Sequence, residues 1–426
     1  MRDSKHLIAI PGSPRRPHGS EALMQAHVAG IDNPNPMIGP ARLIRAAFEG
    51  ADMAALAAEI LAEGGDSALD AGTALDMATI LLLKHRFTEG LALQNEVLDG
   101  QRLFSLRSNP DQARVRVLVL VTAGDLMANT PIDFLLNDGD FGLTYLYLRP
   151  GEPVPRDLPA HDVIVTGIAY ARTAEPLLEA LAAAADHWTR PIVNHPRHVL
   201  KTSRHGIADA LRGAEGILAP DVVRVSRSVL SAAASRQTEG PTYPLLVRPL
   251  DTHAGNELQK VDRAEDLQLY LAHTAAEAFY VTQYCDYRGP DGLFRKLRVV
   301  LIDGVPYLCH MAIRDHWMIH YLNAGMLEDP VKRQVEAAAM AAFDTDFAER
   351  HRAAFAEIHR RIGLDYLVID CAESADGRLL IFEADTGMVV HDMDPVDLFP
   401  YKAPQMRRVF AAFQDALRGR ARGRAA

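Results

Sequence analysis

The sequence predicts an α/β domain followed by a larger α+β region, with a helical segment ahead of both. Three features of the 426-residue chain indicate this order. Helical periodicity dominates residues 41–107, apolar runs alternate with helices between 109 and 200, and closely spaced strands occupy most of the remainder. Because a single core stops growing near about 250 to 300 residues, a chain of this length forms more than one domain.

The composition is that of an ordinary globular protein, with 48% hydrophobic and 23% charged residues. A net charge of -10 argues against a general nucleic-acid binder. Cys285, Cys309 and Cys371 lack the spacing of a metal site, which favours a reducing compartment and argues against zinc. Without a signal sequence or an apolar run of about 20 residues, we expect a cytoplasmic protein that does not enter a membrane.

The first 108 residues divide into two parts. Residues 1–40 are rich in Pro, Gly and His and predict an extended arm. Residues 41–108 predict three helices, the third continuing to Arg107, and the last two resemble one tetratricopeptide hairpin. A solenoid of such hairpins needs about three repeats. Two interpretations stay open: a helical cap on the next domain, or a surface that binds a protein partner.

Residues 109–200 have the rhythm of a parallel sheet. The run VRVLVLV (115–121) is almost wholly apolar and β-branched, which is typical of a strand buried on both faces. LTYLYL, DVIVTGI and RPIVNH follow, with helical stretches between them. The strand ends carry neither a dinucleotide fingerprint nor a GxxxxGK loop, so any nucleotide must bind elsewhere.

Residues 201–426 predict an α+β region. Its strands include YPLLVRP, FYVTQYCDY, FRKLRVVLIDGVPYLCHMAI, LDYLVID and GRLLIFEAD. One long helix is predicted over 329–363, and an SADG turn joins the last two strands into a hairpin.

The last hairpin carries three carboxylates. Glu383 and Asp385 are two positions apart on a strand and therefore share a face, and the hairpin brings Asp370 near them. Two ionised carboxylates about 7 Å apart repel by roughly 2 to 3 kcal/mol at an effective dielectric near 20, and a cation would reverse that sign. Oxygen ligands favour Mg²⁺ or Mn²⁺ over zinc. The alternative is a set of solvent-facing carboxylates at strand ends.

The order of these elements resembles the ATP-grasp superfamily of carboxylate ligases over about residues 115–415. The resemblance implies a βαβ pre-ATP-grasp domain at 109–200 and an ATP-grasp domain of two lobes at 201–426, which clamp ATP between them. It also implies that Asp370, Glu383 and Asp385 hold two Mg²⁺ ions. Asp385 stands where the family usually has Asn.

The stretch LLVRPLDTHAG resembles the phosphate-binding strand and lid loop of that family. Arg248 stands in the position of the usual Lys, which keeps the charge and changes the geometry. His253 and Gly255 fall in the lid loop, where they would contact phosphates.

VTQYCDY resembles the hinge strand between the lobes. The resemblance implies that backbone groups at Gln283, Tyr284 and Cys285 pair with adenine and that Asp286 reaches the ribose.

RKLRVVLIDGVPY resembles the strand that stabilises the acyl phosphate, which assigns that role to Arg298, with Lys296 in place of the usual Asp. Arg314 and Asn323 fall where the family has an Arg and an Asn near the γ-phosphate and metals.

The resemblance implies an ADP-forming, ATP- and Mg²⁺-dependent ligase that joins a carboxylate and an amine of a small molecule or peptide. Alternatives that stay open are a kinase-like or ester-forming variant and an inactive nucleotide-binding scaffold that recruits a partner. A homodimer is also open. His391 and Asp392, after the hairpin, are candidates for proton transfer or acceptor binding. His310, His316 and His320 are candidates for substrate contacts.

Overall fold

A computed structural model describes residues 34–63, 69–136, 139–235, 242–250, 252 and 257–423. They belong to two compact units, the first within 1–169, 176–196 and 414–426, the second within 170–175 and 197–413. The predicted fold class, α/β followed by α+β, is confirmed by one mainly parallel sheet in the first unit and two mainly antiparallel sheets in the second.

The described residues form fifteen strands and thirteen α-helices. The strands are β1 Asn35–Met37, β2 Leu103–Leu106, β3 Val115–Thr122, β4 Phe141–Leu148, β5 Val163–Thr166, β6 Ile192–Val193, β7 Ile217–Leu218, β8 Val222–Ser226, β9 Leu245–Pro249, β10 Gln259–Val261, β11 Ala278–Gln283, β12 Phe294–Ile302, β13 Val305–Arg314, β14 Tyr366–Glu373 and β15 Leu379–Asp385. The helices are α1 Pro40–Phe48, α2 Met53–Glu63, α3 Ala71–Leu83, α4 Phe87–Gly100, α5 Glu175–Ala185, α6 Pro196–Val199, α7 Arg204–Leu211, α8 Arg227–Ser235, α9 Ala264–His273, α10 Pro330–Ala342, α11 Phe347–Arg350, α12 Arg352–Ile362 and α13 Lys402–Ala421. None of these helices is long and apolar enough to cross a membrane.

The sheet of the first unit has the order β1-β2-β4-β3-β5-β6. All of its neighbours are parallel except β2 and β4. Strands β3 to β6 are the four predicted from the apolar runs, and β3 is buried at every position except Arg116. The parallel core of the unit therefore follows from apolar patterning alone.

Helices α3 and α4 form the helical hairpin that the sequence predicts. Their packing is close at Gly90, where a Cβ atom would lie 2.9 Å from Cδ2 of Leu82. The relation of this helical hairpin to tetratricopeptide repeats stays a prediction.

The prediction of a third helix reaching Arg107 is wrong. Helix α4 ends at Gly100, and Leu103–Leu106 form strand β2, in which Phe104 is fully buried. Gly destabilises a helix interior, and the short apolar run that follows packs better as a strand between β1 and β4 of the sheet. Strand β1, which the sequence did not predict, pairs with β2. The arm predicted for residues 1–33 lies outside the described residues.

The first sheet of the second unit has the order β10-β9-β11-β8, with antiparallel neighbours throughout. Its core includes Val247, Leu267 and Phe279, all fully buried. Leu267 comes from α9, so this helix covers one face of the sheet.

The second sheet of this unit has the order β13-β12-β14-β15-β7. Its neighbours are antiparallel except for β15 and β7. The predicted hairpin of β14 and β15 is confirmed. The long helix predicted over 329–363 is instead three helices, α10, α11 and α12, because Asp344-Thr345-Asp346 interrupts it with poor helix formers.

Candidate active site

Asp370 is the centre of a charged cluster on the second sheet of the second unit. It lies on β14, opposite Arg298 of β12 and opposite Glu383 of β15. Only 2% of the residue is exposed. Residues paired across neighbouring strands have Cβ atoms about 5 Å apart, so strand pairing alone brings these three charges together.

Two cations hold the carboxylate of Asp370. Arg298 donates from Nε to Oδ1 at 2.8 Å and from Nη2 to Oδ2 at 3.2 Å. The Nζ atom of Lys296 lies 2.7 Å from Oδ2. Burial by itself would raise the pKa of Asp370, but Arg298 and Lys296 outweigh it and hold that pKa below its usual value. Asp370 is therefore ionised, and both of its oxygens are engaged.

Glu383 and Asp385 form the acidic side of the cluster. Arg204 donates from Nη2 to Oε1 of Glu383 at 2.8 Å, and the N–H of Gly387 donates to Oδ1 of Asp385 at 2.8 Å. The pKa of Asp385 is raised to about 7, mainly by burial; the hydrogen bond from Gly387 opposes this rise, and the nearby charge of Glu383 adds to it. Within the described residues, the only ion pair of these two carboxylates is the one between Glu383 and Arg204.

The predicted site of three metal-binding carboxylates does not fit this arrangement at Asp370. Across the described ranges, no three His, Cys, Asp or Glu side chains are grouped as metal ligands. Both oxygens of Asp370 already accept from cations, whereas Glu383 and Asp385 offer the hard oxygen donors that Mg²⁺ and Mn²⁺ prefer. The donor set fits one divalent cation at Glu383 and Asp385.

Arg248 is a buried cation at the end of β9, with 8% exposure. Its Nε atom donates to Oγ1 of Thr252 at 3.2 Å, and its Nη2 atom donates to the carbonyl of Thr252. Burial and the positive charge of Arg204 lower the pKa of Arg248 to about 10. Within the described part of the chain no carboxylate forms an ion pair with Arg248, so an anionic ligand would stabilise it.

Arg204 was not predicted from the sequence. It is the first residue of α7, whose N-cap Ser203 accepts from the N–H of Gly206 at 3.0 Å. The Ser before a helical run is a recognisable cap signal. The contact of Arg204 with Glu383, 179 positions away, depends on tertiary structure and has no local signal in the sequence.

Strand β11 ends at Gln283, so the predicted adenine contacts lie at and just after its end. The N–H of Tyr284 donates to the carbonyl of Pro244 at 3.0 Å, and Nε2 of Gln283 donates to the same oxygen at 2.8 Å. The backbone donor of Tyr284, one of the groups predicted to pair with adenine, is thus already engaged. A base contact through the N–H of Tyr284 would require its bond to Pro244 to open.

The ring of Tyr284 offers another contact for a planar base. It packs edge-on against Trp317 with centroids 5.9 Å apart, and Nζ of Lys260 lies 4.6 Å from its centroid. Tyr284 and Trp317 are both half-buried. An aromatic pair with one accessible side suits a stacked heterocycle. Trp317 lies among His310, His316 and His320 in the sequence, and no contact with a nucleotide was predicted for it.

Cys285 and Asp286 complete this segment. Burial raises the pKa of the Cys285 thiol, which therefore stays protonated at neutral pH. Asp286 is exposed and accepts from the N–H of Arg288 at 3.0 Å. Its contact with a ribose stays a prediction.

Arg314 and Asn323 lie outside the cluster. Arg314 is the last residue of β13 and pairs with Phe294. It lies four residues beyond His310, which pairs with Arg298. Asn323 is exposed, and its Oδ1 accepts from the N–H of His320 at 2.9 Å. Neither side chain makes a described contact with Asp370, so their phosphate roles stay predictions.

Two half-buried histidines of the predicted group flank the cluster. Burial and the charge of Lys296 lower the pKa of His320, and burial and the charge of Arg298 lower the pKa of His310 well below its usual value. Both imidazoles are therefore neutral at physiological pH. His253 and Gly255 of the predicted lid loop lie outside the described residues.

The segment after β15 is tied to the cluster. Nη1 of Arg298 donates to the carbonyl of Val389 at 3.2 Å. Burial lowers the pKa of His391, which lies near Asp394 and Lys402. Nζ of Lys402 is 3.3 Å from Asp394, which fixes this segment to the start of α13.

The chain is similar to several solved structures. No protein-family model and no curated protein matches the chain. The D-alanine–D-alanine ligase from Bacillus anthracis complexed with ATP is 12% identical, with 73% of this chain and 100% of that chain covered and a TM-score of 0.44. The RimK domain protein ATP-grasp from Sphaerobacter thermophilus is 16% identical, with 71% and 98% covered and a TM-score of 0.39. The ATP-grasp ligase PsnB complexed with precursor peptide PsnA2 and AMPPNP is 14% identical, with 73% and 100% covered and a TM-score of 0.40.

The order of the sheets is the one that the ATP-grasp resemblance implies. A mainly parallel sheet precedes two mainly antiparallel ones, and the charged hairpin of β14 and β15 comes late in the second of these. This order of sheets agrees with the fold class predicted from the sequence.

Proposed function

We propose that this chain is an ATP-dependent carboxylate-amine ligase of the ATP-grasp type. The observation that carries the proposal is a pair of neighbouring arginines, Arg248 and Arg204, beside a position where an anion could bind. Arg248 is buried beside Arg204, and its charge has no carboxylate partner in the described part of the chain. A triphosphate supplies the missing negative charge in a form that arginine grips well.

The first reaction step is phosphoryl transfer. An oxygen of the substrate carboxylate attacks the γ-phosphorus of ATP, the bond to the β,γ-bridging oxygen breaks, and ADP leaves as an acyl phosphate forms. Arg248 and Arg204 bind and orient the phosphates, which is most of what such a reaction asks of a protein. Their desolvated setting strengthens this electrostatic stabilisation.

The second step is acyl transfer to the amine. The amine nitrogen attacks the acyl carbon, the bond to the phosphate oxygen breaks, and inorganic phosphate leaves. Arg298 stabilises the charge on the acyl oxygen and on the departing phosphate, because Asp370 and the carbonyl of Val389 fix its guanidinium. The amine must lose a proton, and the neutral His320 is the group assigned to accept it.

ATP and a divalent cation, Mg²⁺ or Mn²⁺, are the proposed cofactors. Glu383 and Asp385 would hold the cation, which when bound neutralises charge on phosphate oxygens. Tyr284 and Trp317 would contact the adenine ring, with Asp286 near the ribose.

A second candidate function is nucleotide binding without catalysis. The ion pair of Lys296 with Asp370 favours it, since this pair occupies a carboxylate that the ligase family uses for metal. Such a scaffold would bind ATP through the same arginines and recruit a partner.

ADP formation distinguishes the two candidates. The wild-type chain, incubated with Mg²⁺, ATP and pooled small-molecule and peptide carboxylates and amines, should release ADP in at least one pool. Glu383→Ala should abolish that release, and Glu349→Ala, a change in a surface ion pair, should preserve it. ATP binding without ADP release above the Glu383→Ala level in any pool would favour the scaffold.

A further inference from the structure

The position of Lys296 sets the number of metal ions at this site. Lys296 and Arg298 are two residues apart on β12, so both side chains lie on the same face of the sheet. Asp370 faces them from β14. Its Oδ2 atom lies 2.7 Å from Nζ of Lys296, and its Oδ1 atom lies 2.8 Å from Nε of Arg298.

These contacts leave no place for a metal ion on Asp370. A metal ion needs a carboxylate oxygen within about 2.0 to 2.6 Å, and each oxygen here faces a cationic nitrogen. A divalent ion on Oδ2 would also lie against the ammonium of Lys296, whose side chain is 14% exposed and poorly screened by water.

The charges of the cluster lead to the same count. Asp370 carries one negative charge against the two positive charges of Lys296 and Arg298. Glu383 and Asp385 carry at most two negative charges, and Arg204 offsets one of them. The cluster therefore has no excess negative charge of its own, which disfavours a second divalent ion.

We propose that the ammonium of Lys296 is a built-in cation that takes the place of a metal ion at Asp370, so that the site binds one divalent ion with each nucleotide. This inference rests on the proposed function, because it concerns the metal that accompanies ATP. It makes Asp370 a positioning residue for Lys296 and Arg298. The proposal also means that the ammonium of Lys296 attracts the phosphates as a single positive charge.

Counting Mn²⁺ ions tests the proposal without any turnover. The probe is Mn²⁺ with β,γ-methylene-ATP, free Mn²⁺ is measured by electron paramagnetic resonance, and bound nucleotide is measured in the same samples by equilibrium dialysis. We expect one Mn²⁺ per bound nucleotide in the wild type and in Lys296→Arg, which keeps the charge. Lys296→Met releases Oδ2 of Asp370 and should raise the count to two.

The outcomes separate this inference from the proposed function. Two Mn²⁺ ions per nucleotide in the wild type would overturn the built-in cation and leave the nucleotide site intact. A count of one in Lys296→Met would also overturn it, provided that thermal unfolding shows this variant to be folded. If Lys296→Met does not fold, the wild-type and Lys296→Arg counts decide. A wild type that binds no nucleotide would refute the proposed function, and the inference with it.

Discussion

Arg298 on β12 and Asp370 on β14 are joined by two hydrogen bonds of 2.8 and 3.2 Å across the second sheet of the second unit. Since Asp370 is 2% exposed, this pair is part of the core as well as part of the site. The contact that fixes the guanidinium of Arg298 therefore also stabilises the fold.

Asp370→Asn should therefore destabilise the chain. The change leaves Lys296 and Arg298 facing each other without a counter-charge, and breaking a buried ion pair from one side costs about 3 to 5 kcal/mol. Urea denaturation measures the free energy of unfolding. The surface change Glu349→Gln serves as its control and should leave the free energy of unfolding close to that of the wild type. Equal free energies of unfolding of the two variants would contradict the claim that the buried ion pairs of Asp370 stabilise the fold.

Much of the fold follows from patterns in the sequence. The apolar run at Val115–Thr122 and the turn before Leu379 fix two strands and a hairpin by local signals. Strands β1 and β2 have no such signal: Asn35–Met37 is three residues long, and Leu103–Leu106 directly follows a helix. Sheet pairing, which is a tertiary property, decides both.

The site could be predicted as a set of residues but not as a set of contacts. Alternation along β15 and the hairpin brought Glu383 near Asp370, as the register confirms. The partners of Asp370 come from β12, and Arg204 comes from a helix 179 positions before Glu383. No spacing rule links positions so far apart, so the engagement of Asp370 by Lys296 became visible only in the structure.

Lys402 should be a second residue whose replacement strongly lowers the free energy of unfolding. Its side chain is 2% exposed, and Nζ lies 3.5 Å from Oε1 of Glu336, which is fully buried. Lys402→Met should cost about 3 to 5 kcal/mol, because it leaves the charge of Glu336 buried and unpaired.

A double-mutant cycle checks this assignment. Adding Glu336→Gln to Lys402→Met removes the unpaired charge, so the double variant should be more stable than the sum of the two single losses predicts. Strict additivity of the losses in urea denaturation would show that the two side chains do not interact.

Asp385 should make stability depend on pH. Its pKa is raised from the ordinary value of 3.8 to about 7, so the folded chain favours the protonated carboxyl. The stability gained in this way is complete below pH 3.8 and is lost as the pH rises through about 7. Asp385→Asn removes this titration and keeps an oxygen for the N–H of Gly387.

Thermal unfolding between pH 5 and pH 8, in EDTA to exclude metal, measures the effect. The midpoint of Asp385→Asn relative to wild type should rise from pH 5 to about pH 7 and level off above it. A difference between the two midpoints that is constant with pH would contradict the raised pKa of Asp385.

Trp317 should report on nucleotide binding. The chain has two tryptophans, Trp188 and Trp317. In a Trp188→Phe background, adding ATP should change the emission of Trp317, because the proposed position of the base is against the ring pair of Tyr284 and Trp317. Trp317→Phe should show no change, since its emission comes from Trp188 alone.

The same contact should affect affinity. An aromatic contact contributes about 0.5 to 1.5 kcal/mol beyond its buried area, so Tyr284→Ala should weaken ATP binding about 2- to 10-fold or more. Unchanged affinity in Tyr284→Ala would place the base elsewhere.

The most direct measurement is calorimetric titration of the chain with Mg²⁺ and ATP, comparing wild type with Arg248→Met. Arg248 is buried and lacks a described carboxylate partner, so its charged hydrogen bonds to phosphate should contribute about 1.5 to 3 kcal/mol. We expect the wild type to bind ATP, Arg248→Met to bind it about 10- to 150-fold more weakly, and the surface control Arg352→Met to bind it like the wild type. Equal affinities of the wild type and Arg248→Met, or no binding by the wild type, would contradict a nucleotide site at these arginines.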